Sequence, residues 1–334
     1  MKKQLMLLLL VGFAASASAR DTLFIGPTHL RVSEDGIISA APAPAPKETF
    51  DEHWAYHYYP AEKKLTGKGV TVAVADSGIS SHIEFNGKNI QGQDFTLSAS
   101  IEDVKNHGTG VAGIIGARGV NFQGVAPQAN LLIYKIDDGS RLIGPQAATS
   151  AVNAVLAYNE SHPDQKIAVL NLSYGVANGG YVPLTQAINR AYDTGVVVVC
   201  PAGNTGFPGV HYPANLSTTL AVGALAADGQ HAYPNSSYGP QVDFIAPGDR
   251  VYTTANDGGY TLMSGSSASA GFVSAAAALA VEGLKKKLGR YPTVAEVKDS
   301  LRAAAVSITG ISPLQQGSGL IDVTRLEKQF FPEK

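Results

Sequence analysis

Three side chains with the chemistry of acyl transfer lie far apart in the sequence, each in a segment of small residues that contains glycine. Asp76 lies in VAVADSG, His107 in NHGTGVAG and Ser267 in GSSASAGFVS. A serine hydroxyl becomes a nucleophile when a histidine takes its proton, and a carboxylate can hold that histidine in the required tautomer. The three residues therefore suggest an Asp76–His107–Ser267 nucleophilic triad. Ser266 is the neighbouring alternative, both as nucleophile and as the cap of the helix that follows.

Each of these side chains falls at the boundary of an expected strand or helix. Residues 70–75 predict a short buried strand next to Asp76, and residues 107–115 and 267–284 predict helices. The start of a helix presents unpaired backbone N–H groups, which can stabilise an anion that forms beside the serine. Further strands are predicted at 131–136, 167–173, 195–200 and 219–222, and further helices at 146–158, 184–192 and 294–304.

The predicted strands are continuous runs of Val, Ile and Leu, which is typical of strands covered on both faces. Their alternation with helices predicts an α/β fold, a three-layer sandwich with a mostly parallel central sheet. Functional groups in such sheets lie beyond the carboxyl ends of the strands. Asp76 and Asn204 each follow a predicted strand, so we expect both at this edge of the sheet.

The first residues have the pattern of a secretory signal peptide, with Lys2 and Lys3 before an apolar run and an Ala-x-Ala site at 17–19. We therefore expect a signal peptide over residues 1–19 and a secreted or periplasmic protein. Residues 20–49, with an Ala-Pro tract, predict a short pro-segment or N-terminal extension. Residues 50–334 form the expected main domain. No segment after the signal is expected to be long and apolar enough to cross a membrane.

The composition favours a compact globular chain and excludes some partners. Of the 334 residues, 45% are hydrophobic and 16% are charged, with a formal net charge of −2. This balance implies neither nucleic acid nor an anionic membrane as a partner. Cys200, the one cysteine, cannot form a disulfide within the chain, and its place at the end of a Val-rich run predicts a buried strand residue.

The three segments resemble, in the order Asp, His, Ser, the motifs of the subtilisin-like serine proteases, the subtilases. The resemblance covers about residues 69–323 and includes GVAP at 124–127, APG at 246–248 and GSGL at 317–320. In the serine motif, the family's usual Thr, Met and Pro are replaced by Ser266, Ala268 and Gly271. The resemblance implies a subtilisin-like fold and a secreted endopeptidase that works through an acyl-enzyme on polypeptide substrates. It implies no organic cofactor, and a monomer is expected.

The resemblance also assigns residues that bind the substrate. The side-chain amide of Asn204, with the backbone N–H of Ser267, would stabilise the oxyanion. The segment around Ser173, Tyr174 and Gly175 resembles the family's substrate-binding edge, and Gly139 and Ser140 would supply the opposite edge. The expected substrate-binding residues, which would wall the first specificity pocket, are Ser173, Tyr174, Gly175, Ala202 and Gly203.

A structural calcium ion is left open. Many subtilases bind calcium near the positions that Glu84 and Asn121 hold here, but loop 118–123 contains no carboxylate, and calcium needs several oxygen ligands. Other functions also stay open. A non-catalytic relative could bind peptides, and an amine could replace water as the acyl acceptor. A lipase or esterase is disfavoured because neither its Gly-x-Ser-x-Gly motif nor its Ser…Asp…His order is found around the triad.

Overall fold

The structure is a computed structural model that describes residues 51–140 and 144–332, together with the backbone of three short strands near the N-terminus. These strands are Leu23–Ile25 (β1), Thr28–Val32 (β2) and Ile38–Ala40 (β3), which pair as an antiparallel sheet in the order β1-β2-β3. They belong to a compact unit of their own, Met1–Asp51. The residue pattern does not predict these strands. The expected signal peptide and the Ala-Pro tract at 41–46 lie outside the described residues.

The second unit, Glu52–Lys334, is built on a large sheet. The strands of this unit, in chain order, are Thr71–Asp76 (β4), Gln91–Asp94 (β5), Asn130–Lys135 (β6), Ile167–Leu172 (β7), Val197–Pro201 (β8), Leu220–Leu225 (β9), Val242–Pro247 (β10), Val251–Thr254 (β11), Tyr260–Met263 (β12), Ala305–Val306 (β13) and Leu320–Ile321 (β14). Among the described residues, nine of them form one sheet in the order β13-β14-β10-β9-β8-β7-β4-β6-β5. All neighbours in it are parallel except β13 and β14, and β11 pairs with β12 as a separate antiparallel ribbon.

Helices cover both faces of this sheet. They are Gly108–Gly116 (α1), Pro145–Ser161 (α2), Val182–Asp193 (α3), Ser266–Leu288 (α4), Val294–Ala304 (α5), Pro313–Gln316 (α6) and Val323–Lys328 (α7). Leu170 and Leu172 of β7 belong to a buried cluster that also contains residues of α2 and α3. Asn171 lies between them and bonds instead to Ser274 of α4. Because successive strand residues point to opposite faces, α4 lies on the face away from α2 and α3. The predicted three-layer α/β sandwich is confirmed.

Helix α4 is the core helix of the molecule. Every residue from Ser266 to Gly283 is buried. Contrary to the sequence expectation, this helix is long and apolar enough to cross a membrane by length and composition alone. However, 89% of its most apolar window is buried inside the protein, as in the central helix of a large globular domain. Cys200 is fully buried in β8, as predicted, and burial raises the pKa of its thiol.

Candidate active site

The turn after β4 positions both the candidate carboxylate and the candidate base. Asp76 is the last residue of β4 and is buried. Its Oδ1 accepts a hydrogen bond from the backbone N–H of Ser77 at 2.6 Å and lies 2.7 Å from Nδ1 of His107. His107 directly precedes α1, and the N–H of Gly108 donates to Oγ of Ser77 at 2.9 Å. Ser77 therefore links the end of β4 to the start of α1, and so holds Asp76 and His107 close together.

Asp76 and His107 each stabilise the charged form of the other. Burial raises the pKa of Asp76, but His107 and the N–H of Ser77 lower it more, so the carboxyl's pKa lies below its ordinary value. Burial lowers the pKa of His107, but the Asp76 charge raises it more, so the imidazole's pKa lies above its ordinary value. A carboxylate only accepts hydrogen bonds, so Nδ1 carries the ring proton and Nε2 is left as an acceptor. This is the tautomer that can take a proton from an alcohol.

The two candidate serines, Ser266 and Ser267, occupy different environments in the first turn of α4. Ser266 is fully buried, and its Oγ lies 3.1 Å from the carbonyl oxygen of Gly203 and 3.0 Å from Oδ1 of Asn204. Ser267 is 9% exposed. Among the described residues, no hydrogen bond joins Oγ of Ser267 to His107 or to another group. Serine–histidine bonds are often long in free enzymes and tighten when substrate binds.

The crossing of α1 and α4 brings Ser267 and His107 to the same end of the molecule. A Cβ added to Gly271 would lie 3.2 Å from Cγ2 of Ile114 and 3.7 Å from Cγ1 of Val111, so the two helices are in close contact there. His107 and Ser267 each lie one helical turn before this contact. Both helices begin at the carboxyl edge of the sheet, because each start is bonded to a loop that follows a parallel strand.

Asn204 follows β8 at this same edge. Its Oδ1 accepts a hydrogen bond from the backbone N–H of Ser266 at 2.8 Å. Its Nδ2 is a donor without an acceptor in the described part of the chain. Gly265 has φ 127°, and a Cβ there would lie 3.1 Å from Nδ2 of Asn204. Glycine therefore allows the amide to lie against the chain just before the candidate nucleophile.

The expected substrate edges line one cavity beside the His107–Asp76 pair. The cavity has a volume of about 510 Å³, and its lining includes Gly139 and Ser140 from one edge and residues 173–175 from the other. The N–H of Ser173 bonds to the carbonyl oxygen of Ala75 at 3.1 Å, which fixes that edge to β4. Ala202 and Gly203 do not line this cavity; they lie at the end of β8 and contact His211.

Two charged residues of this cavity were not among the sequence candidates. Lys105 and Asp137 both line it, and Nζ of Lys105 lies 2.7 Å from Oδ2 of Asp137. Each has a signal in the sequence. Lys105 is two residues before His107, and Asp137 comes just after β6, the strand that pairs with β4.

Glu84 and Asn121, the candidate calcium ligands, form a different kind of contact. Glu84 is fully buried, and its carboxylate accepts hydrogen bonds from the backbone N–H groups of residues 119–122 at 2.6–3.3 Å. The hydroxyl of Tyr260 also donates to it, at 3.0 Å, and the side-chain amide of Asn121 donates to Tyr260. Calcium requires oxygen acceptors, whereas these neighbours are donors that would repel a cation, so the residues present do not fit calcium. Among the described residues, no group of three or more His, Cys, Asp or Glu is placed to hold a metal ion.

Comparisons with known proteins agree with this architecture. Residues 67–321 match the subtilase family. The chain is 35% identical over 270 residues to the thermostable alkaline protease of Halalkalibacterium halodurans, covering 78% of this chain and 68% of that protein. It is 34% identical over 261 residues to subtilisin Savinase of Lederbergia lenta, covering 77% of this chain and 90% of that protein. The solved structure of the protease domain of PatA, a serine-to-alanine mutant, aligns with a TM-score of 0.70 at 26% identity, covering 81% of this chain and 98% of that one.

The sandwich, its parallel sheet and these relatives together define a subtilisin-like serine peptidase. The chain belongs to the subtilase family.

Proposed function

We propose that this peptidase is a secreted endopeptidase that cleaves polypeptides with Ser267 as nucleophile, His107 as base and Asp76 as the group that orients the base. The observation that carries the proposal is the 2.7 Å contact between Nδ1 of His107 and Oδ1 of Asp76. It leaves Nε2 as the acceptor for a serine proton and places a negative charge beside the imidazolium that forms.

In the proposed reaction, Oγ of Ser267 attacks the carbonyl carbon of the scissile peptide bond while its proton moves to Nε2 of His107. The tetrahedral intermediate then expels the amine, which takes that proton from Nε2. Water, activated by the same imidazole, attacks the acyl-enzyme and releases the acid product and the free serine. None of these steps requires an organic cofactor.

Asn204 and the backbone N–H of Ser267 are the proposed oxyanion donors. Support comes from the bond between Oδ1 of Asn204 and the N–H of Ser266, because it turns the amide so that Nδ2 is the free end. A donor held in place before the reaction stabilises the developing charge without reorganisation. Asn204→Ala should lower kcat by about 10²–10³, a magnitude known from subtilisin itself.

The choice of Ser267 over Ser266 is supported by their hydrogen bonds. The Ser266 hydroxyl is buried and lies within bonding distance of Gly203 and Asn204, so it is engaged with the protein. The Ser267 hydroxyl has no such bond in the described part of the chain. We infer that Ser266 supports the oxyanion donor and that Ser267 reacts.

The test is labelling with a fluorophosphonate probe and hydrolysis of casein by wild type, Ser267→Ala and Ser266→Ala. Ser267→Ala should lose labelling and lose about 10⁶ in kcat, again a subtilisin value. Ser266→Ala is the matched control, since it removes the adjacent hydroxyl, and it should still be labelled. Labelling that survives in Ser267→Ala but disappears in Ser266→Ala would reverse the assignment.

Substrate binding is proposed to use backbone pairing. An extended peptide would lie between residues 139–140 and 173–175, whose edges line the cavity beside His107. We propose that the enzyme acts as a monomer. We also propose that no metal is needed at loop 119–122, since the Glu84 carboxylate already pairs with its N–H groups.

Secretion is proposed from the signal-peptide pattern of residues 1–19. N-terminal sequencing of the protein recovered from the medium or the periplasm tests it. A mature chain that begins at or after Arg20 is expected, whereas a protein that retains Met1 and stays inside the cell would contradict secretion.

A further inference from the structure

The imidazole of His211 lies between two segments expected to wall the first specificity pocket. Its backbone N–H donates to the carbonyl oxygen of Ala202 at 2.9 Å, so the loop that carries it is bonded to the end of β8. A Cβ added to Gly203 would lie 2.4–2.7 Å from three ring atoms, Cδ2, Cγ and Nδ1. A Cβ added to Gly175 would lie 3.6 Å from Cβ of His211 and 3.8 Å from Nδ1. The ring therefore fills the space beside two residues that have no side chain.

Gly203 is required by this arrangement in two ways. It has φ +113°, which L-residues with a side chain rarely adopt, and any side chain would collide with the imidazole. Because Gly203 directly precedes Asn204 in the chain, the ring contacts the residue adjacent to the proposed oxyanion donor. On the other side it faces Gly175, at the end of the edge that lines the cavity beside His107.

The hydrogen-bonding capacity of this imidazole is unused by the protein. Nε2 of His211 is buried without a hydrogen-bond partner, and Nδ1 also has none among the described residues. Burial lowers the pKa of His211, so the ring is neutral near pH 7 and offers one donor and one acceptor. Buried polar atoms nearly always have a hydrogen-bond partner, so Nε2 of His211 is a group to which a bound substrate side chain can supply one.

We propose that His211 forms the closed end of the pocket that receives the substrate side chain on the acyl side of the scissile bond. There it selects a side chain that can hydrogen-bond to an imidazole. Glutamine fits, because its carboxamide has both a donor and an acceptor. Methionine has nearly the same length but offers no donor and only a weak acceptor. A large aromatic side chain would collide with the imidazole. The proposal rests on the proposed function, since Ser267 and Asn204 define where this pocket begins.

The expected preference is a ratio of specificity constants. An apolar side chain leaves the pocket's polar group unpaired, whereas a carboxamide pairs with it, and a difference of this kind is worth about 10-fold or more in kcat/KM. We therefore expect the wild type to cleave after glutamine at least about 10-fold better than after methionine, and to cleave after phenylalanine poorly.

The experiment uses peptides that are identical except for Gln, Met or Phe before the scissile bond. They are assayed with wild type, His211→Phe and His211→Ala. His211→Phe keeps a ring but removes both nitrogens, so the preference for Gln over Met should fall to about 1 while Phe stays poor. His211→Ala should lose the same preference and also open the pocket, so cleavage after Phe should rise. Fluorophosphonate labelling of each variant shows that the reactive serine is intact.

The outcomes separate the two proposals. A wild type that prefers Met or Phe to Gln, or a His211→Phe variant that keeps the wild-type ratio, would overturn the role of His211 without affecting the triad. If the wild type cleaves none of the peptides or casein and is not labelled, the proposed function itself fails. Because the wild-type ratio alone can contradict the proposal, it stays testable even if a variant does not fold.

Discussion

Replacing Glu84 by glutamine should destabilise the protein strongly although it changes one atom of the side chain. Glu84 is fully buried, and its two oxygens accept five hydrogen bonds, four from backbone N–H groups and one from Tyr260. Oε2 accepts from Gly119 and Val120, and Oε1 accepts from Asn121, Phe122 and Tyr260. Whichever oxygen becomes an amino group, at least two backbone donors then face another donor.

The magnitude follows from those lost bonds. A donor left without its acceptor costs about 1–3 kcal/mol, and bonds to a charged group lie toward the upper end. The loop carrying the donors is largely exposed, so water can solvate some of them and reduce the cost. We expect Glu84→Gln to lower the free energy of unfolding by about 2–4 kcal/mol. For a domain of this size that is a fall in Tm of about 3–7 °C.

Thermal unfolding is measured in the Ser267→Ala background, in which the proposed nucleophile is absent and self-digestion should be lost. Glu160→Gln is the matched control, because Glu160 is exposed on α2 and the same substitution there should change Tm little. Adding a chelator to the Ser267→Ala protein should leave its Tm unchanged if, as proposed, the Glu84 carboxylate rather than a metal ion holds the N–H groups of loop 119–122.

The pH dependence of stability gives an independent check. Burial raises the pKa of Glu84, but the N–H groups of Asn121, Val120 and Phe122 lower it more, so its pKa in the folded protein lies below the ordinary 4.5. The carboxylate therefore contributes its full stability above the unfolded pKa and loses it as pH falls through the folded pKa. Glu84→Gln should remove this part of the acid sensitivity. A variant with unchanged Tm, or a Tm that a chelator lowers as much as the mutation does, would refute the reasoning.

Three further predictions concern the site and the core. The acidic limb of the pH profile of kcat/KM should have its midpoint above pH 6.5, because Asp76 keeps His107 protonated to higher pH. Asp76→Asn should move this midpoint to lower pH and reduce kcat by about 10⁴. A midpoint that does not move in the variant would show that the limb does not report the titration of His107 beside Asp76. Ser266→Ala should lower kcat less than Asn204→Ala, because the N–H of residue 266 still holds Oδ1 of Asn204, and equal losses measured in steady-state kinetics would contradict this role. Cys200 should react with a thiol reagent only after unfolding, since its thiol is buried with a raised pKa, and rapid labelling of the folded protein would disagree.

Most of the buried parallel strands and the long helices could be predicted from the sequence because their apolar runs are continuous. The buried strand Val242–Pro247 was missed because Asp243 and Pro247 leave only a short apolar run at residues 244–246. The strand expected at 70–75 is observed at Thr71–Asp76, and the helix expected at 294–304 is observed at those bounds. The edge strand Gln91–Asp94 was missed because its residues are polar and exposed or half-buried, so it has no apolar signal. The strands β13 and β14 have two residues each, too few for any pattern.

Within the site, the residue types were predictable but several roles were not. Ser266 and Ser267 are adjacent and identical in type, and only the contacts of the first with Gly203 and Asn204 distinguish them. His211 lies in a loop without periodicity, and its position against Gly203 depends on how that loop returns to β8. Glu84 has the residue type of a calcium ligand, but the direction of the surrounding N–H groups is a property of the folded backbone.

The helix that carries Ser267 has a consequence for how the enzyme loses activity. Eighteen consecutive residues, from Ser266 to Gly283, are enclosed by the rest of the domain, and local opening usually begins in exposed segments. The proposed nucleophile is therefore not exposed by fraying of a peripheral element. Loss of activity and loss of the near-ultraviolet circular dichroism signal should therefore have the same temperature dependence. Residual activity would then measure the fraction of molecules that are still folded.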